Sequence, residues 1–119
     1  MSTILIVDDN EINLILFRFN LKNMDINILE AKNGKEAVET YKANPDICLV
    51  LMDILMPVVS GIEAAKIIKE INPKIIIISQ TALHSPDSIK TENFDYHITK
   101  PINFKDLKKL INKLCFEQN

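Results

Sequence analysis

Two aspartates, Asp8 and Asp9, stand side by side directly after the apolar residues 4–7. A third, Asp53, follows the run "LVLM"; Thr81 follows "IIIISQ"; Lys100 and Pro101 close the stretch "TKP". Taken singly, each residue has an ordinary role: an Asp caps a helix, a Thr ends a strand, a Lys is a solvated charge. Together they make a chemical set. Carboxylates crowded at one point repel one another, and a divalent cation among them removes that repulsion. The donors are all oxygens, with no His or Cys at a suitable spacing, which selects Mg²⁺ or Mn²⁺ over zinc. Magnesium sites are usually completed by phosphate oxygens. An ammonium and a hydroxyl facing the same point neutralise and hydrogen-bond a phosphoryl group. A carboxylate beside the metal can itself be the nucleophile and become an aspartyl phosphate.

For this set to meet, each residue must end a strand of the same sheet. Strands are predicted at 3–7, 27–30, 47–52, 75–79 and 96–99. Three of them are continuous apolar runs, as a parallel sheet covered on both faces requires. Helical patterns lie between them. Ala64, Ile67, Ile68 and Ile71 share one face, as do Leu107, Leu110, Ile111 and Leu114. The segment "NGKEAVETYKANP" carries Ala37, Val38 and Tyr41 on one face and stops before Pro45. Ser85 and Pro86 mark the start of a further helix, and Asn103 with Asp106 caps the last. Strict strand–helix alternation predicts a doubly wound (βα)5 α/β fold, with ligands beyond the carboxyl ends of the strands.

The 119 residues suit one domain over 1–119, 47% apolar and 25% charged. A net charge of -2 argues against a nucleic-acid surface. No apolar run reaches membrane-span length, so no membrane insertion is expected. Cys48 lies in the apolar run "ICLVLM" and reads as a small buried thiol; Cys115 has no partner at metal spacing. Two such cysteines point to a reduced, cytoplasmic setting.

The segments "ILIVDDNE", "LVLMDILMP" with Gly61 following, "SQTA" and "YHITKPI" resemble, at these separations, the receiver domain of two-component response regulators. The resemblance covers essentially the whole chain. It implies a flavodoxin-like three-layer sandwich around a five-stranded parallel sheet of order 2-1-3-4-5. By the same resemblance Asp53 accepts a phosphoryl group from a phosphohistidine. Asp9 holds Mg²⁺ directly and Asp8 mainly through water, with Asp53 and the Leu55 carbonyl as further ligands. Lys100 contacts one phosphoryl oxygen and Thr81 another, and the Lys100–Pro101 peptide is cis. Such a domain is a self-phosphorylating and self-dephosphorylating signalling module rather than an enzyme acting on others. The implied partner is a histidine kinase or histidine phosphotransfer protein, and a phosphorylation-dependent dimer is compatible with the family. "DDNEIN" and "TKPINFKDL" are similar to receivers fused to hybrid sensor kinases.

The chain departs from the family at three places. His97 stands where a switch Tyr or Phe is usual, three residues before Lys100, with Tyr96 beside it. Asn93 stands near the position of a frequent Gly, and Ser60 replaces the Asp or Asn before Gly61. Leu55 and Leu83 would flank the phosphoryl group and exclude water, which predicts slow self-dephosphorylation. A haloacid-dehalogenase-like phosphatase would need a second acid two residues after its nucleophile on the first strand. A flavodoxin-type cofactor binder would need a Ser/Thr/Gly-rich loop there. Neither is present, which leaves a non-catalytic docking module of receiver fold as the alternative. The first helix, roughly 11–24, is apolar over much of its circumference. Asn13, Leu16, Phe17, Asn20, Leu21 and Met24 are assigned to the sheet, which leaves Ile12, Ile15 and Phe19 as the partner-docking patch.

Overall fold

Buried apolar runs form the centre of a five-stranded parallel sheet in the computed structural model, which describes residues 2–54, 60–81 and 93–116. The strands are β1 (Ser2–Val7), β2 (Ile26–Ala31), β3 (Leu49–Asp53), β4 (Ile76–Thr81) and β5 (Tyr96–Thr99). Their order is β2-β1-β3-β4-β5, the doubly wound order the resemblance implied. The described helices are α1 (Glu11–Leu21), α2 (Gly34–Ala43), α3 (Gly61–Ile71) and α4 (Phe104–Ile111), the last running into a π-helical turn, Asn112–Phe116. The helix expected to begin at Ser85 and Pro86 lies outside the described residues.

The two sheet faces explain why the strands are apolar throughout. On β1, Leu5 and Val7 join a core cluster with Ala37 and Tyr41 of α2 and with Ala64 and Ile68 of α3. Ile4 and Ile6 point the other way, to Leu14 and Phe17 of α1 and Leu107 and Ile111 of α4. On β3 the same alternation divides Val50 and Met52 from Leu49 and Leu51. A strand with a helix on each side has no polar face to offer.

Strand boundaries differ from expectation where local turns compete. Ile47 closes the turn after α2, donating its N–H to the Asn44 carbonyl at 3.1 Å, and β3 begins only at Leu49. Ile75 does the same after α3, donating to Asn72 O at 3.2 Å, and β4 runs on to Thr81. Each described helix opens on a side-chain cap, from Asn10, Asn33, Ser60 or Asn103, which satisfies an otherwise unpaired N–H of the first turn.

Three expectations about side chains are corrected. The inward residues of α1 are Leu14, Phe17 and Leu21, whereas Leu16, assigned to the sheet, is 45% exposed. On α3 the buried face is Ala64, Ala65 and Ile68, and Ile71 lies exposed at the helix end. Cys48 and Cys115 are not separate thiols. They form a disulfide across 67 residues of sequence, joining the entry to β3 with the turn after α4. Neither spacing nor composition reveals it, because the pair meets only when α4 packs on the α1 face and brings the two Cα atoms to 6.3 Å.

Closing a loop of this length removes disorder from the unfolded chain. Cys115→Ser is therefore expected to lower the unfolding free energy by about 2–4 kcal/mol, read as a shift in denaturant midpoint. The wild type with reductant should shift equally, whereas identical midpoints with and without reductant would contradict the assignment.

Candidate functional site at the carboxyl edge of the sheet

The parallel register carries the acidic residues to one place. Val7 lies beside Met52, so the chain reaches Asp8 next to Asp53, and Asp53 in turn lies beside Gln80. Asp8 is fully buried and Asp53 is 5% exposed, while Asp9 faces solvent. One oxygen from each of the three carboxylates lies within 4.8 Å of the others. That spacing and an all-oxygen donor set fit a hard divalent cation.

Lys100 supplies the positive charge within this group. Its Nζ lies 3.3 Å from Asp8 Oδ2 and 3.5 Å from Asp53 Oδ2, on a side chain that is itself mostly covered. It leaves the end of β5 just before Pro101, and the peptide bond between the two is cis. Asp8 has two further partners. Its Oδ1 accepts from the Asn10 N–H at 2.9 Å and its Oδ2 from Asn13 Nδ2 at 3.2 Å. Asn13, which reasoning from sequence placed merely against the sheet, thus orients a buried carboxylate. The available signal was a polar residue on the inward side of an apolar helix.

Gln80 is a second residue that the sequence did not bring forward. It is fully buried, and its Nε2 donates to the Val7 carbonyl at 3.1 Å, reaching past β3 to hold the end of β4 against the end of β1. Thr81 closes β4, its backbone paired with Thr99. His97 lies beside Ser79 in the ladder, with a hydrogen bond between its Nδ1 and Ser79 Oγ. Its ring meets that of Phe94, centroids 5.9 Å apart. Leu55 and Leu83 lie outside the described residues.

Gly61 fixes the start of α3 under this edge. Its N–H donates to Ile54 O at 3.1 Å, and a Cβ added there would come within 2.0 Å of the Asp53 carbonyl oxygen. No side chain larger than hydrogen fits unless the backbone moves. Ser60, one of the departures from the family's pattern, caps the helix, its Oγ accepting from Glu63 N at 3.2 Å.

The match to a family follows these residues. The model of the response regulator receiver domain matches residues 4–112. The chain belongs to the response regulator receiver family. Among its relatives is the autoinducer 1 sensor kinase/phosphatase LuxN of Vibrio campbellii, 35% identical over 111 residues; the match takes in 92% of this chain and only 13% of LuxN. The response regulator TrrA of Thermotoga maritima, solved in complex with Mg²⁺ and BeF, superposes with a TM-score of 0.87 at 33% identity, covering 96% of this chain and 99% of that one. A chain from the co-crystal structure of the Saccharomyces cerevisiae phosphotransfer protein Ypd1 with the receiver domain of Ssk1 gives 0.85 at 33% identity, covering 95% and 88%. This chain is thus a receiver domain of two-component signalling, and phosphoryl-transfer signalling is the role of its family.

The tight approach of α3 to Asp53 is open to test. Gly61→Ala is expected to destabilise the receiver by roughly 1–3 kcal/mol, since the obstacle is backbone rather than a flexible side chain. An unchanged unfolding midpoint would mean that α3 can retreat without cost.

Proposed function

We propose that Asp53 accepts a phosphoryl group from a phosphohistidine, with Asp8, Asp9, Asp53 and the Leu55 carbonyl holding Mg²⁺ and with Lys100 and Thr81 binding the phosphoryl oxygens. The observation that carries this reading is the position of Lys100 Nζ, 3.3 Å from one buried aspartate and 3.5 Å from another, beside a third. A bound Mg²⁺, or Mn²⁺ in its place, would supply charge neutralisation between the carboxylates and the incoming phosphoryl oxygens. The chain's residues do the rest. An Asp53 oxygen attacks phosphorus, the P–N bond to the donor imidazole breaks, and its electron pair stays on that nitrogen. Lys100, already beside Asp53, follows the negative charge onto the phosphoryl group. Thr81, at the end of β4, hydrogen-bonds another phosphoryl oxygen, and His97 takes the place of the switch aromatic. A docking-only role would leave this whole constellation without a use.

The donor is a histidine kinase or a histidine phosphotransfer protein, and α1 is the surface that meets it. Ile12 is 67% exposed, Ile15 49% and Phe19 64%, with Leu16 next to them. Leu16 also lines a cavity of about 150 Å³ shared with Lys100, Pro101, Ile102 and Phe104, so the apolar surface is continuous with the charged edge. A few exposed apolar side chains beside the reacting group suit a transient partner. LuxN is a sensor kinase and the Ssk1 receiver was solved with a phosphotransfer protein, which supports both the partner class and a place in a hybrid relay.

Asp53→Asn is expected to abolish labelling by acetyl phosphate, because an amide does not attack phosphorus as a carboxylate does. Stoichiometric Mg²⁺-dependent phosphate found elsewhere by mass spectrometry would overturn the assignment. Ile15→Asp should slow transfer from a phosphohistidine donor while acetyl-phosphate labelling persists; equal loss with both donors would move the docking surface off α1.

A further inference from the structure

Ser79 is fully buried on β4, two residues before Thr81. A buried hydroxyl needs a partner, and this one shares a hydrogen bond with His97 Nδ1 on the neighbouring strand. The backbone reinforces the pairing, since Ser79 lies beside His97 and Thr81 beside Thr99 in one parallel ladder. The imidazole is therefore anchored by a specific atom of the strand that ends at the phosphorylation edge. A phenyl ring at the same place offers no acceptor or donor, and a tyrosine carries its polar atom at the far tip of the ring. Ser79 and His97 thus form a matched pair.

We propose that Ser79 is a positioning residue that ties the His97 ring to β4, so that movement of the end of β4 on phosphorylation is transmitted to His97. The inference rests on the switch role assigned to Thr81 and His97 above. Rotation of the ring away from β4 breaks this bond and takes from the Ser79 hydroxyl the partner it has in the fold, so His97 stays in register with β4 while the bond lasts. The bond engages Nδ1 and leaves Nε2 as the ring nitrogen open to a binding partner. Phe94, in contact with the ring, limits where else it can go.

The test is ¹⁵N NMR of the His97 ring in the wild type, Ser79→Ala and Ser79→Thr, with and without Mg²⁺ and beryllofluoride, alongside acetyl-phosphate labelling of Asp53. The wild type should show a beryllofluoride-induced shift at Nδ1. Ser79→Ala should lose that response and change the Nδ1 shift of the free protein, while Asp53 still takes label. Ser79→Thr, which keeps the hydroxyl, should restore both. A Ser79→Ala protein with wild-type Nδ1 shifts and response would overturn the proposal, as would a wild type that binds beryllofluoride while His97 stays silent. Failure of the underlying reading would be seen separately, as wild-type protein that takes no label at Asp53, and would remove the coupling with it.

Discussion

Among the described residues, a single ammonium group lies beside three carboxylates. Lys100 Nζ serves two of them, both buried, and the third faces solvent nearby. Charge taken out of water is costly unless it is paired and its remaining lone pairs are satisfied. Much of the surrounding architecture meets that requirement. Parallel strands that end together bring the acids to one edge, Asn10 and Asn13 at the start of α1 occupy Asp8, and the turn at Pro101 follows directly on the lysine. One ammonium beside three carboxylates leaves this described group net negative, a balance that a divalent cation fits.

The helix that covers one side of this edge serves two purposes. Through Asn13 it reaches Asp8, and through Phe17 and Leu21 it closes the core against β1 and β3. Its outer surface remains apolar, while Arg18 is drawn into ion pairs with Glu30 at 3.0 Å and Glu11 at 3.5 Å. Those pairs hold Arg18 to one side, away from Ile12 and Ile15, while Lys22 Nζ lies over the Phe19 ring, 4.6 Å from its centroid. A partner lying on α1 would therefore press on the same rigid element that orients a buried carboxylate.

Much of this was legible in the order of the residues, for physical reasons. Short continuous runs such as ILIV and LVLM, alternating with helical patterns, fit strands buried on both faces, and the acids, Thr and Lys that follow such strands then share an edge. The first helix was harder to read. With apolar residues around most of its circumference, periodicity could not choose between Leu14 and Leu16 for the sheet, and packing decided for Leu14. Ser79 and Gln80 looked like ordinary members of a strand, because what matters about them is a neighbour far away in sequence: His97 for one and Val7 for the other. The cysteine pair was hidden in the same way. Local pattern reports which side of an element is apolar, and it is silent on which two polar atoms the fold will bring together.

The strand β3 carries Asp53 at one end and follows directly from Cys48 at the other. Five residues of strand, at about 3.3 Å each, separate the two ends by roughly 16 Å. Over that length β3 is hydrogen-bonded to β1 on one side and β4 on the other. A pull or release at the sulfur end is therefore shared among three strands before it can reach the acids. The centre of the sheet thus stands between a covalent bond at one rim and a cluster of charge at the opposite one.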